Sequence, residues 1–220
     1  MDTTPTFTVF LVAAFIAYIL GALPSAYTVS RLNGVNIFEV GSHQAGATNV
    51  WREVSRKMGM VVTAVDFTKG VMAIVVGYLI GLENAELLVP AAAAVAGHWN
   101  SPFTKFKGGD GVATLVGCAA GLAPIEFFLP LLLGATISIG FNKKFDHPTL
   151  WAGMAGYGLF IVLSFLPSSR TEPEIVYGLT GIGFAIMLHS IYFHKRHRHY
   201  FAPRTVDDEN DHTVTPDNVS

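Results

Sequence analysis

The sequence is poor in cysteine and in charged residues, and each shortage excludes a class of protein. Cys118 is the only cysteine among 220 residues, which excludes a disulfide framework and a multi-cysteine metal site. Charged residues make up 14% of the chain, against about 25% in a typical soluble domain. No basic residue precedes the first apolar run, so we expect no cleaved signal peptide. These shortages argue against both a disulfide-linked scaffold and an ordinary soluble domain.

Long apolar runs are what the sequence has in abundance. Hydrophobic residues make up 51% of the chain, and the mean hydropathy is +0.45. A helix needs roughly 20 apolar residues to cross the hydrocarbon core of a membrane. We predict seven apolar helical segments, at about 7–28, 59–82, 87–98, 111–122, 125–141, 149–167 and 175–193. The expected fold class is all-α: a polytopic integral membrane protein with about seven transmembrane helices, two of them short.

The two short segments, 87–98 and 111–122, enclose a polar, glycine-rich loop. Each has about 12 residues and would extend roughly 18 Å at 1.5 Å per residue. Three interpretations stay open: half-spans, a re-entrant hairpin, or helices that continue into the loop. Irregular backbone is tolerated at membrane depth where it lines a cavity. This loop is therefore predicted to belong to a site.

Positive charge is distributed unevenly between the two sides that seven crossings would define. The chain has 14 Lys and Arg residues. Twelve fall in one alternating set of loops, Arg170 falls in the other set, and Lys69 lies inside a segment. Because Lys and Arg concentrate in cytoplasmic loops, we predict an outside N-terminus and a cytoplasmic C-terminus. A re-entrant hairpin would leave this assignment unchanged.

The sequence predicts one folded domain followed by a tail. Residues 1–204 hold all seven segments and show no convincing internal repeat. Residues 205–220, "TVDDENDHTVTPDNVS", are acidic and polar and lack aromatic residues. Segments of this composition cannot bury enough apolar surface to fold. We predict a single transmembrane domain at 1–204 and a disordered cytoplasmic tail at 205–220.

The first loop on the positively charged side reads "NIFEVGSHQAGATNVWREVSRKMG". Its candidate phosphate-binding residues are Gly41, Ser42, Gly46, Thr48, Asn49 and Arg52. Backbone N–H groups and hydroxyls can surround a phosphate, and a guanidinium binds it bidentately. The alternative is a polar cap, in which Thr48 or Asn49 begins the following helix.

A pair of opposite charges lies within the second segment, in "AVDFTKG". Asp66 and Lys69 are three residues apart and therefore share a helix face. Charges inside a membrane segment are costly and are commonly functional. The pair is either an internal salt bridge that fixes helix packing or part of a functional path, and the two roles can coexist.

The central loop, "GHWNSPFTKFKGGDGVAT", combines cations and glycines ahead of an apolar segment. Its candidate anion-binding residues are Lys105, Lys107, Gly108, Gly109 and Gly111. Glycines let backbone N–H groups surround an anion, and a helix N-terminus adds partial positive charge. Asp110 places a carboxylate in the middle of this pattern. It would pair with a flanking cation or accept a hydrogen bond from a substrate hydroxyl.

The C-terminal basic stretch, "HSIYFHKRHRHYFAPR", contains four histidines within eleven residues. They are His189, His194, His197 and His199. Histidines at this density raise the alternative of a metal site, but no cysteine or carboxylate lies at a matching spacing. A basic segment facing anionic lipid is the favoured interpretation.

Three motifs in one order resemble the acyl-phosphate:glycerol-3-phosphate acyltransferase family (PlsY) of bacteria. That family carries a first loop like "GSGNxGATNxxR", a segment with "DxxKG" and a central "GHxxxPFxxFKGGKGVAT". The corresponding stretches here are "GSHQAGATNVWR", "DFTKG" and "GHWNSPFTKFKGGDGVAT". The resemblance is dense up to about residue 120 and thinner beyond it.

The resemblance implies a membrane enzyme that transfers a fatty acyl group from acyl phosphate to the hydroxyl of glycerol 3-phosphate. The product would be lysophosphatidic acid for phospholipid synthesis. Because an acyl phosphate is an activated mixed anhydride, positioning and charge stabilisation suffice without a nucleophilic triad. The resemblance implies no cofactor, metal or nucleic-acid partner. We expect a monomer or weak oligomer among the lipids of the bacterial inner membrane, with the active site on the cytoplasmic face.

The resemblance also assigns roles to individual residues. The implied catalytic residues are Ser42, Arg52, His98, Lys107, Thr149 and His194. The implied substrate-binding residues are Gly41, Gly46, Thr48, Asn49, Lys105, Gly108, Gly109, Asp110 and Gly111. The base that activates the acceptor is weakly defined, and a donor phosphate oxygen or a histidine would serve.

The sequence departs from the family pattern at several polar positions. His43 and Gln44 stand where the family usually has Gly and Asn, and Asp110 stands where it has its second lysine. The family's C-terminal "HRxNIxRLxxGxE" survives only as "HKRHRHYFAPR". One alternative is therefore a catalytically impaired relative that binds a lipid or phosphate head group. A less favoured alternative is a small transporter, in which Asp66 and Lys69 would gate a path.

Overall fold

The computed structural model describes residues 5–140, 148–167 and 169–196, apart from the side chains of residues 135, 138–140, 148–154 and 194–196. The described residues form α-helices and short 3₁₀ helices and contain no β-strand. The α-helices are α1 (Phe7–Ala22), α2 (Ser25–Leu32), α3 (Ala47–Glu53), α4 (Arg56–Leu79), α5 (Leu88–Trp99), α6 (Val112–Leu122), α7 (Pro124–Gly140), α8 (Pro148–Ser164) and α9 (Pro173–Arg196). The 3₁₀ helices are Asn84–Leu87 and Pro102–Thr104. Over these residues the predicted all-α class is confirmed.

Within the described part of the chain, three stretches are long and apolar enough to cross a membrane: Phe7–Leu32, Arg56–Leu79 and Pro173–Phe193. Their outer faces expose large apolar side chains, among them Phe15 and Leu79. A soluble monomer rarely exposes apolar surface on this scale. The outer surface of the helices is therefore the kind that contacts lipid.

Each predicted apolar segment contains a helix, but the first segment is interrupted. The sequence predicts one continuous helix over 7–28, whereas α1 ends at Ala22 and α2 begins at Ser25. Pro24 has no N–H group and disfavours helical backbone at the residue before it. Leu23 accordingly has an extended ψ of 123°. At the break the carbonyl oxygen of Leu23 accepts the N–H of Ser25 at 2.9 Å, and its second lone pair is open to a side chain from another helix.

Two closely packed helix pairs form the part of the fold that carries the polar loops. α1 lies against α5, and α4 lies against α6. A Cβ placed on Gly70 of α4 would lie 2.0 Å from the carbonyl oxygen of Thr114, and one placed on Gly117 of α6 would lie 2.0 Å from that of Phe67. This close approach brings the N-terminal end of α6 beside the middle of α4. Cys118 is buried at the same contact, where its Sγ lies 3.6 Å from the carbonyl oxygen of Gly70.

The polar-cap alternative for the first loop is wrong. Thr48 and Asn49 lie inside the separate short helix α3, which Gly46 begins without a side-chain cap. The following helix, α4, is capped instead by Ser55, whose Oγ accepts a hydrogen bond of 3.1 Å from the N–H of Met58. Asn49 does not cap a helix because its side chain is engaged by the loop that precedes it.

Candidate active site

A cleft of about 790 Å³ opens between the first loop, α3, α4 and α6. Its polar lining includes Ser42, Gln44, Thr48, Thr63, His98 and Asp110. Its apolar lining includes Met60, Phe67, Val116 and Leu131. A cleft with a few convergent polar groups and an apolar wall suits a ligand that has a polar head and an apolar tail.

Asn49 holds the first loop in shape. Its side chain is only 3% exposed, and its Oδ1 accepts a hydrogen bond of 3.1 Å from the N–H of Ser42. Its Nδ2 donates to the carbonyl oxygens of Ile37, Val40 and Gln44 at 3.0–3.1 Å. Because one buried amide satisfies four backbone groups of the loop, Asn49 fixes the positions of Ser42 and Gln44 at the cleft.

The first loop and the central loop are joined by backbone contacts. The N–H of Ala45 donates to the carbonyl oxygen of Gly108 at 3.1 Å, and the N–H of Gly109 donates to that of His98 at 3.3 Å. A Cβ on Gly108 would lie 2.0 Å from the oxygen of His98, and one on Gly109 would lie 2.6 Å from that of Ala45. Only residues without a side chain allow this approach, which explains the paired glycines.

His98 lies at the C-terminal end of α5 and is 8% exposed. It lines the cleft and also a small cavity of about 10 Å³, roughly the room of one water, which Lys107 and Gly108 line as well. Its Nδ1 lies 3.4 Å from Thr114 Oγ1 and 3.9 Å from Asp66 Oδ1. Both neighbours approach the same ring nitrogen, so the ring cannot pass a proton from one to the other as a triad histidine does.

The charged pair in α4 is an internal salt bridge. Lys69 Nζ lies 2.8 Å from Asp66 Oδ1, and the two residues are 4% and 1% exposed. Ser25 Oγ donates to the same carboxylate oxygen at 2.5 Å, and Lys69 also donates to the carbonyl oxygen of Leu23. The pair therefore satisfies the backbone at the break between α1 and α2. These contacts favour the packing role over the functional path that the sequence left open.

Seven of the fifteen residues implied by the resemblance line the cleft. Those that line it are Ser42, Gly46, Thr48, Asn49, His98, Asp110 and Gly111. Arg52 and Lys105 are exposed on α3 and on the central loop, and Lys107 lies with its ammonium 5.8 Å from the centroid of the Phe38 ring. Gly41 and Gly109 pack against Asn49 and His98. Thr149 lies in α8 and His194 in α9, but both side chains lie outside the described part of the structure, as do His197 and His199.

Three residues around Asp110 were missed by the sequence reasoning. Gln44 Nε2 donates to Asp110 Oδ1 at 3.0 Å, and Trp99 Nε1 donates to the carbonyl oxygen of Asp110 at 2.7 Å. The ring of His189, from α9, stacks on Trp99 with centroids 4.6 Å apart and an interplanar angle of 5°. Gln44 and His189 lie 66 and 79 residues from Asp110 in sequence, so no local pattern connects them. The departure of Gln44 from the family pattern was the one available signal.

The fold and the cleft define a helical membrane protein that gathers two polar loops around one site for an amphipathic ligand. The profile of the family described as glycerol-3-phosphate acyltransferase matches residues 11–202. The chain belongs to this acyltransferase family, and the family predicted from the three motifs is confirmed.

Individual relatives agree with the family assignment. The chain is 33% identical to glycerol-3-phosphate acyltransferase 4 of Dehalococcoides mccartyi (strain CBDB1) over 189 residues, covering 82% of this chain and 77% of the relative. It is 32% identical to the glycerol-3-phosphate acyltransferase of Helicobacter pylori (strain 26695) over 181 residues, covering 79% and 80%.

Two solved structures resemble the fold. Both are crystal structures of PlsY (YgiH), an integral membrane glycerol 3-phosphate acyltransferase, one in a glycerol 3-phosphate form and one in a lysophosphatidic acid form. The first superposes with a TM-score of 0.68 at 27% identity, covering 87% of this chain and 91% of that one. The second gives 0.66 at 26% identity with the same coverage. The predicted class of helical integral membrane protein is thereby confirmed.

Proposed function

We propose that the protein is a membrane acyltransferase that moves a fatty acyl group from acyl phosphate to a hydroxyl of glycerol 3-phosphate, releasing phosphate and lysophosphatidic acid. Membership of the glycerol-3-phosphate acyltransferase family carries this proposal. The geometry supports it, because the first loop and the central loop meet at a cleft that has both polar and apolar walls. The acyl chain would lie against the apolar wall that includes Phe67 and Leu131.

The reaction requires the protein to position the two substrates and to stabilise the negative charge of their phosphates. The acceptor hydroxyl attacks the acyl carbonyl, the C–O bond to phosphate breaks, and the released phosphate carries away the hydroxyl proton. In this proposal Arg52 and Lys107 bind phosphate oxygens, Ser42 adds a hydroxyl, and Gly108 and Gly111 add N–H donors. His98, near Asp66 and Thr114, holds the wall of the cleft beside the reacting groups. Thr149 and His194 complete the set as roles carried over from the family.

The remaining proposals concern the setting of the enzyme. We propose seven crossings with the N-terminus outside, the C-terminus in the cytoplasm and the cleft on the cytoplasmic face of a bacterial inner membrane. The distribution of Lys and Arg supports this orientation, because twelve of 14 fall on the side of the polar loops. Residues 1–204 would be one membrane domain, a monomer or weak oligomer in lipid, with residues 205–220 as a cytoplasmic tail.

A donor panel tests the proposed reaction. Purified protein is mixed with glycerol 3-phosphate and one of three donors: acyl phosphate, acyl-CoA or acyl carrier protein carrying the same chain. We expect lysophosphatidic acid, detected by mass spectrometry, with acyl phosphate alone. Product formed only from the carrier-linked donors would refute the donor while keeping the class of acyltransferase. No product from any donor would refute the function.

A further inference from the structure

Asp110 is held at two points by neighbouring parts of the chain. Its carbonyl oxygen accepts the indole N–H of Trp99 at 2.7 Å, and its carboxylate oxygen Oδ1 accepts the amide of Gln44 at 3.0 Å. Gln44 is itself 6% exposed and sits on the loop that Asn49 fixes. The carboxylate is therefore oriented by the first loop, although it belongs to the central loop.

The second oxygen of this carboxylate is available to a ligand. Asp110 lines the cleft and is half-buried, and its Oδ2 has no hydrogen-bond partner among the described residues. The other carboxylate at the cleft, Asp66, is committed to Lys69 and Ser25. No Lys or Arg is among the described residues that line the cleft. Among the described residues, Asp110 is thus an oriented hydrogen-bond acceptor at the cleft with no cation paired to it.

The chemistry of a carboxylate limits what it can recognise there. It accepts hydrogen bonds from hydroxyls strongly, because a charged acceptor forms the stronger bond. It repels a phosphate group. Glycerol 3-phosphate carries a reacting hydroxyl, a second hydroxyl and a phosphate. The reacting hydroxyl must approach the carbonyl of the acyl phosphate donor. Because the donor's phosphate is repelled by the carboxylate of Asp110, the reacting hydroxyl is disfavoured beside Asp110. The second hydroxyl meets no such repulsion.

We infer that the Gln44–Asp110 pair is a specificity determinant that binds the second, non-reacting hydroxyl of the acceptor and turns the acceptor's phosphate towards the exposed cations. This inference rests on the proposed function for the identity of the acceptor. Gln44 and Asp110 both depart from the family pattern, and the structure brings these two departures into direct contact. Asp110 supplies the acceptor atom, and Gln44 acts through it as a positioning residue.

The test compares glycerol 3-phosphate with 3-hydroxypropyl phosphate, which keeps the three-carbon chain and lacks only the second hydroxyl. Binding of each is measured by calorimetry on the full-length protein in detergent, and kcat/KM is measured with acyl phosphate. Wild-type protein is expected to prefer glycerol 3-phosphate about tenfold or more, because a site built to bind a hydroxyl rejects an analogue without it. Asp110→Ala is expected to bind both acceptors equally, with an unchanged KM for acyl phosphate.

Two further variants separate the roles of the pair. Gln44→Ala is expected to reduce the acceptor preference about threefold, but to change nothing when Asp110 is already alanine, because the two residues act through one contact. Glu39→Gln is the matched control, since it neutralises an exposed carboxylate of the first loop outside the cleft. It is expected to keep the wild-type preference.

The outcomes are distinguishable. An acceptor preference that survives in folded Asp110→Ala, or its absence from wild-type protein, overturns the inference. Where Asp110→Ala does not fold, Asp110→Asn replaces it, with an expected loss of preference of about threefold from the weaker neutral hydrogen bond. Preferential binding of glycerol 3-phosphate without turnover of acyl phosphate overturns the proposed function but supports the role of Asp110. Normal turnover of acyl phosphate, together with an acceptor preference that is unchanged in the variants, supports the proposed function and overturns the role of Asp110.

Discussion

The two loops that line the cleft are held in place by different means. The first loop depends on one buried group, the amide of Asn49, which bonds four backbone groups. The central loop depends on close backbone packing that only glycine permits, because Gly108 lies against the carbonyl oxygens of His98 and Trp99. The first loop is stabilised by hydrogen bonds that can be removed one at a time. The second is stabilised by close packing that fails as soon as a single carbon is added.

The largest effect is expected from adding that carbon. In Gly108→Ala the new Cβ would lie 2.0 Å from the oxygen of His98 and 2.5 Å from that of Trp99, and both are backbone atoms that cannot rotate away. The loop must then shift by about an ångström or more, which costs about 100-fold in activity. Initial rates of acyl transfer measure this effect, and the helical circular dichroism should stay unchanged.

Gly181→Ala provides the matched control. Gly181 lies in α9, and a methyl group added there would meet nothing within 4 Å. The substitution should leave activity unchanged and raise helix stability by up to about 1 kcal/mol. Equal activity losses in the two variants would contradict the packing account of the central loop.

A smaller effect is expected at the first loop. Asn49→Ala leaves the carbonyl oxygens of Ile37, Val40 and Gln44 and the N–H of Ser42 without their partner. Buried groups left unsatisfied cost about 1–3 kcal/mol each, although water will reach some of them. We expect the free energy of unfolding to fall by about 2–3 kcal/mol, which a lower melting temperature will show, and we expect weaker binding of both substrates.

Asn33→Ala serves as the comparison for this loss. Asn33 is an exposed asparagine whose side chain makes one hydrogen bond, from its Nδ2 to the carbonyl oxygen of Val29. Its removal should cost less than about 0.5 kcal/mol. If thermal unfolding shows that Asn49→Ala is no more destabilised than Asn33→Ala, Asn49 does not hold the loop.

The smallest effect is expected at the stack of His189 on Trp99. Trp99 also donates to Asp110, so loosening the stack should loosen the end of the central loop. Because aromatic stacking contributes about 0.5–1.5 kcal/mol, His189→Ala should raise the KM for the acceptor about threefold to tenfold. His189→Phe keeps a flat ring and should restore the wild-type KM. Identical KM values in the two variants would mean that the imidazole itself, and not the stack, matters.

The sequence predicted the helices better than the contacts between loops. Each predicted apolar segment contains a helix, because hydrophobic runs indicate burial in lipid, whereas the short helix α3 lies in the polar first loop and was not predicted. The break between α1 and α2 could have been read from Pro24, whose ring disfavours a continuous helix. Asp66 and Lys69 were correctly expected to share a helix face, since their spacing alone determines it.

The site was predictable as a set of residues but not as a geometry. The motifs identified Ser42, His98 and Asp110, and all three line one cleft. No sequence pattern shows that Gln44 contacts Asp110 or that His189 stacks on Trp99, because these contacts join residues that only the packing of the helices brings together. The motif also did not show that the side chain of Asn49 bonds the backbone of its own loop, since a buried amide and a ligand-binding amide look alike in sequence.

The most direct test of the proposed reaction is the release of phosphate from acyl phosphate by the purified protein, with and without glycerol 3-phosphate. The reaction predicts release only when the acceptor is present, with one phosphate for each lysophosphatidic acid formed. It also predicts a rate at least about tenfold lower in Arg52→Ala, because the proposed bidentate contact of Arg52 with phosphate would be removed. Release that does not depend on glycerol 3-phosphate, or no release together with an unchanged Arg52→Ala variant, would contradict it.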